Sequence, residues 1–135
     1  METKNKKTIK NILVVDDDPL QNRLLEKTLI ENGFQVKISA DAAEGLQMAI
    51  RDLPDLIILD VMMPVINGFN FCRILKSEFK KTHISIVLLT SRDKLEDVEI
   101  GLSMGADAYL LKPVNVKELL RTIRVIESME PHKHA

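Results

Sequence analysis

The feature of the sequence that most constrains its fold is a regular alternation of short apolar runs with longer amphipathic segments. Five strand-like runs alternate with five helix-like segments, without a low-complexity linker or an internal repeat. Three runs are almost continuously apolar, as expected for strands buried on both faces of a sheet: 12–15, 56–59 and 84–89. The alternation predicts a single α/β domain in which helices cover both faces of a parallel sheet.

The two remaining strands are predicted at positions with different patterns. Phe34, Val36 and Ile38 alternate with polar residues, which indicates an edge strand with one face in water. The last strand is predicted at 107–111. Residues with N-cap character predict where four of the helices begin, and the fourth helix is predicted to begin near Thr90 or Ser91. The other four predicted caps are Asp18, Asp41, Asn67 and Asn115.

Composition excludes several classes of function. The chain has 135 residues with 19 basic and 20 acidic side chains, so its net charge of -1 does not favour direct binding of nucleic acid. The apolar runs are far shorter than the ~18 residues needed to cross a bilayer, and the first residues do not resemble a signal peptide. We therefore expect a cytoplasmic protein without membrane insertion. The domain is predicted at 10–128, with flexible tails at 1–9 and 129–135, and the lone Cys72 is predicted to lie in the core.

Polar side chains gather where the predicted strands end. Asp16 and Asp17 follow the first strand, Asp60 the third, Thr90 the fourth and Lys112 the fifth. Each has a simpler explanation when taken alone, such as a turn residue, a helix cap or a solvated strand end. Ligands of open parallel sheets bind at the carboxyl ends of the strands, so the coincidence of these side chains at one sheet edge indicates a site.

The residue types of this site point to phosphoryl chemistry. Three converging carboxylates offer the oxygen ligands that Mg²⁺ prefers, and a bound cation would offset their mutual repulsion. A lysine and a hydroxyl beside the metal supply the positive charge and the donor that a phosphoryl group requires. A carboxylate can itself act as nucleophile, so the cluster predicts transfer of a phosphoryl group onto an aspartate.

Four stretches resemble the receiver domains of two-component response regulators. They read ILVVDDDPLQNRLL at 12–25, PDLIILDVMMPVINGF at 54–69, IVLLTSRD at 86–93 and GADAYLLKPV at 105–114. The resemblance extends over residues 10–128. It implies a flavodoxin-like (βα)5 three-layer sandwich whose five parallel strands have the order 2-1-3-4-5.

The resemblance also implies a phosphoacceptor and a metal site. Asp60 would attack the phosphorus of a phosphohistidine on a histidine kinase or a histidine phosphotransfer protein. Asp17 would bind Mg²⁺ directly, Asp16 would hold it through water, and Met62 would supply a backbone carbonyl. Mn²⁺ is expected to substitute for Mg²⁺, and the chain is not expected to be an enzyme beyond its own phosphorylation and slow dephosphorylation.

Further positions correspond to the family's switch. Thr90 would bind a phosphoryl oxygen, Lys112 would pair with another, and Tyr109 would turn inward once Thr90 moves. The resemblance implies a cis peptide before Pro113. Phosphorylation would then change the surface around the fourth helix, fifth strand and fifth helix, which would bind an unidentified downstream protein.

The fourth helix has a less certain pattern. Leu102 and Gly101 are predicted to face the sheet, and Ile100 and Met104 to point toward solvent, either as isolated exposed residues or as a surface that binds a partner. One departure from the family is Ala108, which stands where receivers attached to winged-helix domains usually have an acid. This departure puts the charged dimer interface of that class in doubt for this chain.

Two other functions are compatible with parts of the pattern. A phosphatase of the haloacid dehalogenase type also uses a strand-end aspartate, a hydroxyl and a lysine around Mg²⁺, with Asp16 and Asp18 as its acidic pair. Pro19 stands where that family has glycine, and Asp60 would have no role in it. A degenerate receiver acting as a constitutive interaction module is the second alternative, although such a module would be expected to lack Asp60, Thr90 or Lys112.

Overall fold

The sheet has the predicted strand order. The structure, a computed structural model, describes residues 8–81, 83–91 and 98–129. Five parallel strands form one sheet in the order β2-β1-β3-β4-β5. The strands are β1 Asn11–Val15, β2 Gln35–Ser39, β3 Leu56–Asp60, β4 Ser85–Thr90 and β5 Ala108–Leu111. The helices are α1 Pro19–Glu31, α2 Ala42–Asp52, α3 Gly68–Arg73, α4 Val98–Ser103 and α5 Val116–Ser128.

Side-chain caps fix the starts of four helices, as predicted. The side chains of Asp18, Asp41, Asn67 and Asn115 each accept a hydrogen bond from a backbone N–H in the first turn of the helix that follows. These bonds satisfy donors that a helix leaves without partners at its start. The predicted start of α4 depends on residues 92–97, which lie outside the described residues.

The core lies on both faces of the sheet. On one face, buried side chains of α1 and α5 such as Leu25, Leu29 and Ile123 pack against Ile12 and Val14. On the other face, α2 and α3 cover the alternate residues of the same strands. Cys72 is buried in this second layer as predicted, and burial raises the pKa of its thiol to about 12. No helix in the described part of the chain combines the length and apolar character needed to cross a membrane.

The third helix changes its geometry halfway along. After Arg73 the backbone continues as a π-helical turn over Ile74–Glu78, where Phe79 N–H donates to Ile74 O at 3.0 Å. Leu75 in this turn is fully buried. The sequence pattern predicts only a continuous helix here. The π-turn alters the number of residues per turn, but Leu75 is still the apolar residue that reaches the core, so the pattern does not reveal it.

The predicted orientation of α4 is wrong at two residues. Leu102, expected to face the sheet, is exposed, and Met104, expected to face solvent, is half-buried against the core. The close approach of Gly101 to Leu88 of β4 explains both. Leu102 lies about 100° around the helix from Gly101 and therefore points away from the sheet. Met104, three residues after Gly101, lies again on the side that faces the sheet. Ile100 is exposed, as predicted.

Gly101→Ala is expected to destabilise the fold. A Cβ at Gly101 would collide with Leu88 Cδ1 and approach Phe69 Cε1 to 3.1 Å. Overpacking costs ~1–3 kcal/mol, against a gain in helix propensity of up to ~1 kcal/mol, so we expect a net loss of about 1 kcal/mol in the free energy of unfolding. Urea unfolding of both proteins measures it. Ser103→Ala, on the exposed side of the same helix, is the control and should be nearly neutral; a Gly101→Ala protein as stable as the wild type would contradict the close packing.

Candidate functional site

The sheet brings three acidic side chains together. β1 pairs with β3 so that Val15 lies beside Leu59, and the next residues are Asp16 and Asp60. Carboxylate oxygens of Asp16, Asp17 and Asp60 all lie within 4.8 Å of one another. Asp16 and Asp60 are buried, whereas Asp17 is exposed. The arrangement is the convergence at the carboxyl edge of the sheet that the sequence predicts.

Asp16 is held at several of its polar atoms. Its backbone N–H donates to Ser39 O at 3.1 Å, and its Oδ1 accepts from Asp18 N–H at 3.0 Å. The side chain of Asn22, one turn into α1, donates from Nδ2 to Asp16 O at 2.6 Å. The orientation of the first acid therefore depends on β2, on its own loop and on α1.

Asp60 is held by the loop that follows it. Its Oδ1 accepts from Met62 N–H at 3.1 Å. Gly68 N–H donates to Val61 O at 3.0 Å and closes the loop back onto the end of β3. A Cβ at Gly68 would lie 2.9 Å from Val61 Cα, so the closure requires glycine.

Lys112 lies between the two buried acids. Its Nζ is 3.2 Å from Asp16 Oδ2 and 3.3 Å from Asp60 Oδ2. Its backbone N–H donates to Thr90 O at 2.8 Å, which joins the ends of β4 and β5 beside the site. The following peptide bond, between Lys112 and Pro113, is cis. One ammonium is thus paired with two of the three carboxylates.

Burial and the neighbouring charges shift the pKa values of two members of this group. Burial, reinforced by the negative charge of Asp16, raises the pKa of Asp60. Burial by itself lowers the pKa of Lys112, but the charges of Asp16 and Asp60 outweigh burial and leave the pKa raised. The lysine is therefore fully charged at neutral pH, and the acids still exceed it in number.

The donor set fits a hard divalent cation. Within the described residues, Asp16 Oδ2 is buried, accepts no hydrogen bond and lies 3.2 Å from the Lys112 ammonium. This buried oxygen is compensated only in part, because the single charge of Lys112 is shared with Asp60. Together with oxygens of Asp17 and Asp60 it provides the all-oxygen environment typical of Mg²⁺ sites.

The remaining predicted site residues lie on β4, β5, α4 and the loop after β3. Thr90, at the end of β4, is buried, and its Oγ1 donates to Ser91 O over a long 3.4 Å. Tyr109 in β5 is 42% exposed, and the side chain of Met62 is 56% exposed beside the acids. Ile100 on α4 is exposed.

Two features near the site were missed from the sequence. Val65 has φ +72°, within a turn in which Ile66 N–H donates to Pro64 O at 2.8 Å, and its side chain is 93% exposed. A β-branched residue rarely adopts this conformation, and nothing in the local pattern indicates it. The second is buried Asn22, which the sequence could have revealed. It is a polar residue in the apolar stripe of α1 that continues with Leu25 and Leu29.

Comparison with known proteins identifies relatives over nearly all of the described chain. A sequence model of the family described as "Response regulator receiver domain" matches residues 12–124. Response regulator MprA of Mycobacterium leprae is 43% identical over 115 residues, which is 85% of this chain and 50% of that protein. Response regulator PleD of Caulobacter vibrioides is 44% identical over 113 residues, 84% of this chain and 25% of that protein. The chain thus spans half or less of these relatives.

Solved structures have the same fold. Chemotaxis protein CheY4 of Vibrio cholerae matches with a TM-score of 0.80 and 32% identity, covering 88% of this chain and 99% of that one. The receiver domain of the sensor histidine kinase PA1611 of Pseudomonas aeruginosa matches with a TM-score of 0.80 and 28% identity, covering 90% of this chain and all of that one. That second structure is described with a magnesium ion coordinated in its active site cleft.

Asp60→Asn is expected to stabilise the metal-free protein. A carboxyl whose folded-state pKa is raised stabilises the fold while it is protonated, below its ordinary pKa of about 4, and this contribution is lost as the pH rises through the raised value. Removing the charge should therefore raise the free energy of unfolding by about 1 kcal/mol at neutral pH. The gain should shrink at acid pH.

Urea unfolding in EDTA at acid and neutral pH measures this difference. Asp55→Asn is the matched control, because Asp55 lies just before the other end of β3 and its Oδ2 accepts from Lys10 and Asn11 N–H. That variant should not gain stability. An Asp60→Asn protein that is less stable than the wild type at neutral pH would contradict the electrostatic account.

Proposed function

Because this chain belongs to the response regulator receiver domain family, we propose that its acidic group is the phosphoacceptor site of a phosphorylation-switched receiver, with Asp60 as the acceptor. Receivers of response regulators act in two-component signalling. The single observation that carries the assignment to Asp60 is its position: a buried carboxylate at the end of β3, held beside a second acid and an ammonium. The family assignment leaves the haloacid dehalogenase-type alternative without support.

The proposed reaction is a transfer between nitrogen and oxygen. A carboxylate oxygen of Asp60 attacks the phosphorus of a phosphohistidine, an O–P bond forms as the N–P bond breaks, and the imidazole of the donor leaves. Lys112 already contacts Asp60 Oδ2 at 3.3 Å and would stabilise the charge of the phosphoryl oxygens. Hydrolysis of the aspartyl phosphate by water would return the carboxylate.

Four residues would hold Mg²⁺ in this reaction, three directly and one through water. Asp17 and Asp60 would supply carboxylate oxygens, Asp16 would bind through water, and the backbone carbonyl of Met62 would complete the protein ligands. Bound Mg²⁺ would neutralise the acids and the incoming phosphoryl oxygens. The donor set described above supports this proposal, as does the magnesium reported for the structurally similar receiver of PA1611. Mn²⁺ is expected to substitute.

The switch would couple the acceptor to the surface of α4, β5 and α5. A phosphoryl group adds about -1.5 to -2 charges, which would draw the Thr90 hydroxyl toward it. Lys112 is joined to Thr90 through the backbone, so movement at the end of β4 would reach β5 directly. Tyr109, now 42% exposed, would turn inward, and the surface that includes Ile100 would change for a downstream protein.

The phosphoryl donor would be a histidine kinase or a histidine phosphotransfer protein. Asp60 is only 5% exposed, whereas Met62 and Val65 in the loop that follows it are exposed, so a donor histidine would approach Asp60 on the side of that loop. Direct nucleic acid binding is not part of the proposal for this domain, whose sequence has a net charge of -1.

Acetyl phosphate with Mg²⁺ is expected to label the protein on Asp60. Intact mass should increase by about 80 Da, and Asp60→Asn should abolish the gain because an amide is a poor nucleophile. Asp55→Asn, at the other end of the same strand, should be labelled like the wild type. Full labelling of Asp60→Asn would place the acceptor elsewhere, and absence of labelling in the wild type would favour a constitutive interaction module.

Thr90→Ala is expected to separate labelling from switching. The variant should still gain the mass of a phosphoryl group, because Asp60 and Lys112 remain, but the amide NMR shifts of α4 and β5 that follow phosphorylation in the wild type should be largely lost. Thr28→Ala in α1 makes the same chemical change away from the site and should keep them. If phosphorylated Thr90→Ala shows the same amide NMR shift changes as the wild type, the Thr90 hydroxyl is not part of the switch.

A further inference from the structure

Asn22 is an unusual residue for the position it occupies. It lies in the buried stripe of α1, with Leu25 and Leu29 following at helical spacing, and it is 5% exposed. An amide has two donors and two acceptor lone pairs, and burial without partners is costly. Among the residues that the structure describes, no donor hydrogen-bonds Asn22 Oδ1. An apolar side chain at this position would avoid that cost of ~1–3 kcal/mol.

The hydrogen bond that Asn22 does make leads to the acidic group. Nδ2 donates to the backbone carbonyl of Asp16 at a short 2.6 Å, and Asp16 is fully buried. The same residue is held on its other sides by Ser39 O and Asp18 N–H. Without Asn22 the peptide that joins Asp16 to Asp17 would lose its contact with α1. Both acids depend on that peptide for their orientation.

We infer that Asn22 is a positioning residue for the acidic group: its amide fixes the Asp16 to Asp17 peptide so that both carboxylates are directed at the cation. The inference rests on the proposed function, since the cation is the proposed Mg²⁺. Replacing a residue that orients a metal ligand without binding the metal itself typically weakens metal binding by about 10–100-fold. Because Asn22 acts on the backbone of a ligand rather than on its carboxylate, the lower end of that range is expected.

The test measures metal affinity and local order separately from stability. Calorimetric titration with MgCl₂ gives the dissociation constant, and amide hydrogen exchange in EDTA follows Asp18 N–H, which donates to Asp16 Oδ1. Asn22→Leu keeps similar bulk and removes the amide. It should weaken Mg²⁺ binding about tenfold and speed exchange at Asp18 in the metal-free protein. Asn22→Ala serves for both measurements if the leucine variant does not fold.

Leu29→Ala is the matched control. Leu29 lies on the same stripe of α1 and is fully buried, but it makes no hydrogen bond to the acidic loop among the described contacts. Its replacement should lower stability through a cavity and leave Mg²⁺ affinity unchanged.

Four outcomes decide the inference. Weaker Mg²⁺ binding in Asn22→Leu with unchanged binding in Leu29→Ala supports it. Equal affinity of Asn22→Leu and wild type, within twofold or about 0.4 kcal/mol, overturns it, as does an equal loss in both variants, which would tie affinity to overall stability. If the wild type itself binds no Mg²⁺, the proposed metal role fails, and exchange at Asp18 in EDTA still decides whether Asn22 orders the loop.

Discussion

The crowding of three carboxylates around one ammonium is the constraint on which the rest of the site depends. Two unit charges ~4 Å apart repel by roughly 4 kcal/mol at the effective dielectric of a protein surface. Lys112 contacts Asp16 and Asp60 at 3.2 and 3.3 Å and offsets part of this repulsion. Asp17 adds a further negative charge. A hard cation would offset the remaining repulsion. Without such a cation, burial and the charge of Asp16 raise the pKa of Asp60.

The fold that creates this crowding follows from the sequence to a large extent. Apolar runs and N-cap residues predict the strands and helix starts because both depend on neighbours in the chain. The convergence of Asp16 and Asp60 also follows, since parallel strands end at one edge. The orientation of α4 could not be predicted from the sequence. It is set by the close approach of Gly101 to Leu88, a contact between distant segments that periodicity within six helical residues cannot reveal.

Two structural features at the site depend on tertiary context in the same way. Val65 is held at φ +72° in a loop that the hydrogen bond from Gly68 to Val61 closes, although such a conformation costs of order 1–3 kcal/mol for a β-branched residue. Asn22 is buried among leucines with one amide oxygen left without a donor among the described residues. Local propensity disfavours both, and departures of this kind from local preference concentrate where function constrains a chain.

The carboxylates near the two ends of β3 differ in how the fold holds them. Asp55, just before the strand, accepts from two backbone N–H groups at 2.9 Å each, so its charge is satisfied by the fold itself. Asp60, at the other end, accepts from one backbone N–H, and its second oxygen lies 3.3 Å from the ammonium of a lysine side chain. An ammonium can turn toward a phosphoryl oxygen, whereas backbone amides of a loop cannot leave without unfolding it. Under the proposed function, this incomplete satisfaction of Asp60 by fixed donors would leave its oxygen free to react.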